Sequence, residues 1–222
     1  MTAVIAFAGP SLRRADVAEL SAVAAGRGVQ LDVRPPARRH DLLDLSGAGP
    51  AVVLLDGEFG QSLAVSIAEV RDVLAAGLRL HGASSMGVLR ALECRTLGMT
   101  GSGWVFEQYR SGRIESDADV ALLFDPYDYS PVTIPLVNVR WLVEKLARSA
   151  RISAAGGAAA LEAAAAVHYR DRRPSVLARR WRAELPDDVL RVLEPELADD
   201  RRDDWDRKRL DGIAALRTAI GD

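Results

Sequence analysis

Residues 78–93 constrain the fold of this chain more than any other stretch. They begin as a short apolar run, pass through a turn of glycine, alanine and serine, and continue with apolar residues at helical spacing. This order predicts a strand, a tight turn and a helix. The turn suits a serine nucleophile, because amides at a helix N-terminus can hold the oxyanion and the helix dipole favours negative charge there. A serine that only caps the helix is the simpler alternative.

Three more short apolar runs precede this segment, and each is a predicted strand. They cover residues 3–8, 30–33 and 51–55, and helical patterns lie between them at residues 13–25 and 62–76. Ser11 is expected to cap the first of these helices. Because buried strands alternate with helices, we expect an α/β fold with a small parallel sheet and flanking helices in the N-terminal part.

The later part of the chain has a helical pattern. An amphipathic helix is predicted over residues 136–150, and Gly156 and Gly157 are expected to separate it from an alanine-rich helix over residues 158–169. The sequence thus predicts two regions. Residues 1–125 form an α/β core with the serine turn, and residues 126–222 form a mainly helical C-terminal region packed on that core.

Composition excludes several classes of function. The 222 residues carry a formal net charge of -2, which argues against nucleic acid as the main partner. A single cysteine excludes an internal disulfide, and three histidines without ligand-like spacing give no reason to expect a metal or another cofactor. No apolar run approaches a membrane span and no signal peptide is visible, so we expect a cytoplasmic protein without membrane contact.

The motif GASSMGVLRALE at residues 82–93 resembles the G-A-x-S-M-G-A-L-R-A-x-E core of the TfuA family. Further matches are DGEF at 56–59, GMTGSG at 98–103, NVR at 138–140 and KRLD at 208–211. The resemblance implies a partner of a YcaO enzyme in peptide-backbone thioamidation. It also implies a hydrolase-like Ser–Lys pair that releases sulfide from a thiocarboxylated, ThiS-like sulfur carrier. The precursor peptide or protein would then be involved indirectly, through YcaO.

Ser85 matches the core serine of the family, and Lys208 matches the lysine of a recurring K-x-x-D. A lysine can act as a base if desolvation favours its neutral form, whereas arginine stays protonated. Lys145 is the second candidate, and either lysine can instead be an exposed helix residue. Asp56 ends a predicted strand, so we expect it near Ser85 if the two strands are neighbours. Arg90 could hold a carboxylate or the C-terminal tail of a partner.

The other candidate site residues are Gly57, His81, Ser84, Met86, Asn138 and Arg140. A base role for His81 is a weaker possibility than a packed strand histidine. Two further functions stay open. The chain could be a non-catalytic adaptor that recruits the sulfur carrier or precursor peptide to YcaO. It could also be a nucleotide-binding module, although no Lys-Ser/Thr pair follows its glycine-rich loop.

Overall fold

The structure is a computed structural model that describes residues 2–45, 51–58 and 63–221. Phe59 of the DGEF motif and the predicted helix start at Ser62 lie outside these ranges. The chain forms two compact units. One contains the residues up to 115 together with those from 208 onward, and the other contains residues 116–207. The last helix therefore groups with the sheet, whereas the sequence pattern assigned it to the C-terminal helical region.

A five-stranded parallel sheet in the order β2-β1-β3-β4-β5 forms the centre of the first unit. The strands are β1 (Thr2–Phe7), β2 (Val29–Arg34), β3 (Ala51–Leu54), β4 (Arg79–Gly82) and β5 (Thr100–Gly101). Phe7 lies beside Leu54, and Leu54 beside Gly82, so the carboxyl ends of β1, β3 and β4 meet at one edge. The predicted α/β class is confirmed, and the sequence pattern missed only the two-residue β5.

In the described part of this unit, five α-helices accompany the sheet. They are α1 (Arg14–Gly26), α2 (Ile67–Ala75), α3 (Met86–Glu93), α4 (Trp104–Arg110) and α10 (Arg207–Ala219). Leu20 of α1 and Leu216 of α10 pack with Val4 and Ala6 of β1, so these two helices cover one face of the sheet. That shared core fixes where α10 lies within the first unit.

The predicted cap of α1 is wrong. The helix begins at Arg14, and the Asp16 carboxylate accepts a hydrogen bond of 2.8 Å from the Arg13 N–H. Ser11 lies outside the helix because its hydroxyl donates to Asp56. By contrast, α2 has a serine cap, since the Ser66 hydroxyl accepts from its third helical N–H over 3.1 Å.

The second unit is helical. It contains α5 (Leu136–Arg148), α6 (Ala154–Ala165), α7 (Pro174–Glu184), α8 (Asp187–Leu193) and α9 (Asp199–Arg202). Its core includes the buried rings of Trp181 and Trp205. Gly156 and Gly157 lie inside α6, so the predicted break there is wrong. A Cβ on Gly156 would lie 2.7 Å from the Val189 side chain, which shows that this glycine lets α6 pack closely on α8.

Candidate active site

Two glycines bring the turn between β4 and α3 close to the sheet. A Cβ on Gly82 would lie 2.0 Å from the Gly87 carbonyl oxygen, and one on Gly87 would lie 1.8 Å from the Leu54 carbonyl oxygen. Only glycine allows such close approach of backbone to backbone. The Gly87 N–H also donates to the Leu55 carbonyl over 3.2 Å. The helix α3 therefore begins directly against the carboxyl ends of β3 and β4.

Ser84 and Ser85 form this turn, and both are buried. Ser84 has φ of 68°, in the left-handed region that non-glycine residues seldom adopt. Ser85 follows at the N-cap position with 2% of its surface exposed. A serine cap normally accepts a hydrogen bond from an amide of the first helical turn. Within the described residues the Ser85 side chain accepts no such bond, so its hydroxyl is not committed to capping.

The amides beside Ser85 are mostly paired with carbonyls. The Ser85 N–H donates to the Ala83 carbonyl over 2.8 Å, and the Val88 N–H donates to the Ser85 carbonyl over 3.0 Å. Met86 is the first residue of α3, and the first N–H groups of a helix have no acceptor inside it. The Met86 N–H is therefore the amide that helix geometry leaves for an anionic ligand next to Ser85.

Asp56 connects three turns at the same edge of the sheet. Its Oδ2 accepts the N–H of Gly9 over 2.8 Å and that of Ser11 over 2.9 Å. Its Oδ1 accepts the Ser11 hydroxyl over 2.7 Å, and the Ser11 oxygen accepts the Ser84 hydroxyl over 2.5 Å. All of these groups are buried. One carboxylate thus joins the turns that follow β1, β3 and β4.

This Asp56 cluster lies where the strand order reverses, between β1 and β3. Open α/β sheets bind ligands at that position, outside the carboxyl ends of the strands. The amides that follow β1, which could otherwise hold a phosphate, donate to Asp56 instead. The arrangement therefore disfavours the nucleotide-binding alternative and leaves the serine turn as the candidate centre.

Lys208 lies on the buried face of α10, with 2% of its surface exposed. Gly212, one turn further along this face, lies against the turn that follows β1. A Cβ built on Gly212 would lie 3.5 Å from the Ser11 carbonyl oxygen. The helix therefore brings the Lys208 side of α10 to the part of the sheet that carries the Asp56 cluster. Lys145 is exposed in the second unit, where its Nζ donates to the Asp204 carbonyl over 3.3 Å. Burial thus favours Lys208 over Lys145 as the base.

A family model described as TfuA-like protein matches residues 56–173, which is more than half of the chain. The chain belongs to the TfuA-like family. TfuA-like proteins are generally associated with YcaO-linked thioamidation. The matched region includes Asp56 and Ser85 and ends before Lys208. A search of curated proteins found no match.

Two further candidates of this TfuA-like chain, Gly57 and Arg90, contact α3 or lie on it. Gly57 lies against α3, since a Cβ there would be 2.9 Å from the Met86 side chain. Arg90 donates from Nε to the Val65 carbonyl over 2.6 Å and from Nη1 to the Glu93 carboxylate. The Arg90 guanidinium, which was expected to hold a carboxylate or the C-terminal tail of a partner, is therefore engaged with groups of its own chain.

His81 binds hydroxyls on β5 and the turn after it. Its Nδ1 lies 2.9 Å from the Thr100 hydroxyl and its Nε2 lies 2.7 Å from the Ser102 hydroxyl. Burial lowers the pKa of His81, so the ring is neutral at pH 7. Because both ring nitrogens already have hydroxyl partners, the geometry does not support His81 as the base for Ser85.

Asn138 and Arg140 lie in the second unit of this TfuA-like chain. Asn138 donates from Nδ2 to Asp206 over 2.8 Å, and Arg140 donates to Asp119 over 3.3 Å. These contacts hold α5 to other segments of the same unit. These contacts indicate a structural role, and a role of either residue in the site stays a prediction.

Two residues with buried contacts in the first unit were not among the predicted site residues: Ser11 was expected only as a helix cap, and Asp211 was named only within the K-x-x-D match. The Asp211 carboxylate accepts the Val105 N–H over 2.8 Å. A Gly-Pro-Ser sequence directly after a strand was the available signal for Ser11, because that position is the carboxyl edge of a parallel sheet. The described residues contain no group of three or more His, Cys, Asp or Glu side chains that could hold a metal ion. No described helix combines the length and apolar character needed to cross a membrane.

Proposed function

We propose that this chain hydrolyses the thiocarboxylate of a ThiS-like sulfur carrier and supplies sulfide to a YcaO enzyme for peptide-backbone thioamidation. The proposal rests on the position of Ser85 and on the hydrogen bonding of its hydroxyl. Ser85 lies at the N-terminus of α3, its hydroxyl accepts no capping bond from the described residues, and the Met86 N–H is adjacent. A buried lysine, Lys208, belongs to the same unit. Nucleophile, amide donor and candidate base are thus all present in one compact unit.

The reaction has two steps. First, the Ser85 oxygen attacks the thiocarboxylate carbon, and the carbon–sulfur bond breaks. Lys208 takes the serine proton and returns it to the departing sulfur, which leaves as HS⁻. Water then attacks the resulting ester carbon, and Lys208 takes one proton from that water. Lys208 gives this proton to the Ser85 oxygen as the carbon–oxygen bond of the ester breaks, and the carrier leaves as a carboxylic acid that ionises in water. The sum is conversion of thiocarboxylate and water to carboxylate and hydrogen sulfide.

The backbone would stabilise the charge that develops in each step. In nucleophile turns between a strand and a helix, the N–H of the residue after the nucleophile is one donor of the oxyanion hole. Here that residue is Met86. Such a preorganised donor typically contributes a factor of about 10² to 10³ in rate. Asp56 and Ser11 would hold the adjacent turn in place during the reaction.

The test is sulfide release from a thiocarboxylated carrier in the absence of YcaO. We expect Ser85→Ala to lose release by several orders of magnitude, because alanine has no nucleophile. The matched control is Ser66→Ala, which removes a true serine cap from α2 in the same unit. It should cost about 1 kcal/mol of stability and leave release unchanged.

The adaptor alternative makes the opposite prediction. A non-catalytic adaptor would bind the carrier or precursor peptide without releasing sulfide, and Ser85→Ala would leave YcaO-dependent thioamidation unchanged. No sulfide release by the wild type without YcaO, or equal release by the wild type and Ser85→Ala, would therefore contradict the proposed hydrolysis.

A further inference from the structure

The N-terminus of α4 is capped by a residue from another helix. Gly103 occupies its N-cap position and has no side chain to cap with. Asp211 of α10 supplies the missing acceptor, since its Oδ2 accepts the N–H of Val105, the second helical residue, over 2.8 Å. An N-cap side chain normally bonds that same amide. Asp211 therefore caps α4 across 106 residues of sequence.

The fit between Gly103 and Asp211 leaves no free space. A Cβ on Gly103 would lie 2.5 Å from Asp211 Cγ and 2.6 Å from its Oδ2, and the φ of 101° at Gly103 also favours glycine. The carboxylate is therefore held by a hydrogen bond on one side and by backbone on the other. Asp211 is 1% exposed, so water does not replace this contact.

The next residue of α10 makes a second close contact. The Cβ position of Gly212 would lie 3.1 Å from the Leu55 side chain and 3.5 Å from the Ser11 carbonyl oxygen. Contacts at two consecutive residues, on different neighbours, fix both the rotation and the axial position of a helix. Lys208 lies three residues before Asp211 and four before Gly212, on the same helix face.

We infer that Asp211 is the positioning residue for Lys208, and that it acts by capping α4. This inference rests on the proposed function, in which Lys208 is the base. The role requires the acceptor oxygen of Asp211 rather than its charge, because the hydrogen bond to Val105 ties the Lys208 end of α10 to α4. The core around Leu216 and the ion pair of Arg209 with Asp16 hold α10 to other parts of the first unit. The positive end of the α4 dipole offsets the carboxylate charge close to the lysine.

The experiment compares Asp211→Asn, Asp211→Ala and Asp211→Glu in sulfide release from a thiocarboxylated carrier. Asn keeps an oxygen that can accept the Val105 N–H, so its kcat should stay within about threefold of the wild type. Ala removes the acceptor and loosens the attachment of α10 to α4, and displacement of a catalytic group by about 1 Å can cost 10²-fold. We expect its kcat to fall by about that factor with KM unchanged.

Asp211→Glu is a second test, included in case Asp211→Ala does not fold. It keeps the carboxylate and its charge, but the extra methylene pushes α10 away from α4. Its kcat should fall by about tenfold even though charge and acceptor remain, because the lysine is displaced. The matched control is Arg217→Ala, which removes an exposed ion pair of α10 with Glu19 far from Lys208 and should leave kcat unchanged.

Several outcomes would overturn the inference. Wild-type kcat in all three Asp211 variants, with only the melting temperature lowered, would show a purely structural cap. An Asn variant as slow as the Ala variant, or a change in KM alone, would also overturn it.

Ser85→Ala and Lys208→Ala separate this result from failure of the proposed function. If both lose sulfide release while the Asp211 variants keep kcat, only the positioning role is wrong. Full activity in Lys208→Ala would refute the base assignment and, with it, the positioning role.

Discussion

At the scale of single residues, Asp56 organises the edge of the sheet. Its two oxygens accept three hydrogen bonds from Gly9 and Ser11, and Ser11 passes the connection on to Ser84. The carboxylate is thus the acceptor for three buried donors, the N–H groups of Gly9 and Ser11 and the Ser11 hydroxyl. Without it, the turn after β1 would lose its side-chain link to the turn after β3.

We expect Asp56→Ala to destabilise the protein strongly. It leaves two buried N–H groups and the Ser11 hydroxyl without their acceptor. Each unsatisfied buried donor costs roughly 1–3 kcal/mol, so the free energy of unfolding should fall by about 3 kcal/mol or more. Chemical denaturation measures this change. The control is Asp32→Ala, which removes a 45%-exposed carboxylate paired with Arg34 and should cost less than about 0.5 kcal/mol. Equal losses in the two variants would contradict the role of Asp56.

The sequence predicted the place of Asp56 and missed that of Ser11, for a physical reason. A polar residue directly after a buried strand lies at the carboxyl edge, whatever the rest of the chain does. A serine just before a helix is normally a cap. Its real partner, Asp56, is 45 residues away, and no local pattern reveals that partner.

At the scale of elements, the contact between α3 and the sheet positions Ser85. Gly82 and Gly87 let the helix backbone approach the strands until Gly87 lies against the Leu54 carbonyl. The sequence predicted a strand, a turn and a helix here, and the structure confirms each of them. The close approach explains why glycine stands on both sides of the serine turn.

Gly87→Ala tests this contact. Its Cβ would lie 1.8 Å from the Leu54 carbonyl oxygen, and a backbone neighbour cannot rotate away. The helix must then shift, so we expect a loss of about 3 kcal/mol of unfolding free energy. The control is Gly26→Ala at the end of α1, where nothing lies within 4 Å of the new Cβ. That change should stabilise the helix by up to about 1 kcal/mol. A normal melting temperature for Gly87→Ala would contradict the contact.

Other elements show the limit of local pattern. Gly156 and Gly157 read as a helix break, yet they lie inside α6 because Val189 packs against Gly156. Helix propensity is a weak preference that tertiary packing overrides. The same limit applies to β5, whose two residues are too few for a period-two pattern.

At the scale of the whole molecule, the chain returns to its first unit after residues 116–207. Alternating strands and helices were enough to predict the α/β class, because burial on both faces leaves a clear signal. The serine itself was identified by family resemblance, since spacing alone favours a cap. Local sequence pattern could not predict that α10 packs within the first unit. Contacts such as that between Asp211 and Val105 span 106 residues and leave no mark in local pattern.

The proposed two-step hydrolysis requires that Ser85 form a covalent ester with the sulfur carrier. The most direct test mixes the protein with thiocarboxylated carrier, quenches the reaction with acid within the first turnover, and maps the adduct by mass spectrometry. We predict an ester between the C-terminal acyl group of the carrier and Ser85, released sulfide in equal amount, and neither product in Ser85→Ala. An acyl group on a different residue, or release of sulfide at the wild-type rate by Ser85→Ala, would contradict the claim.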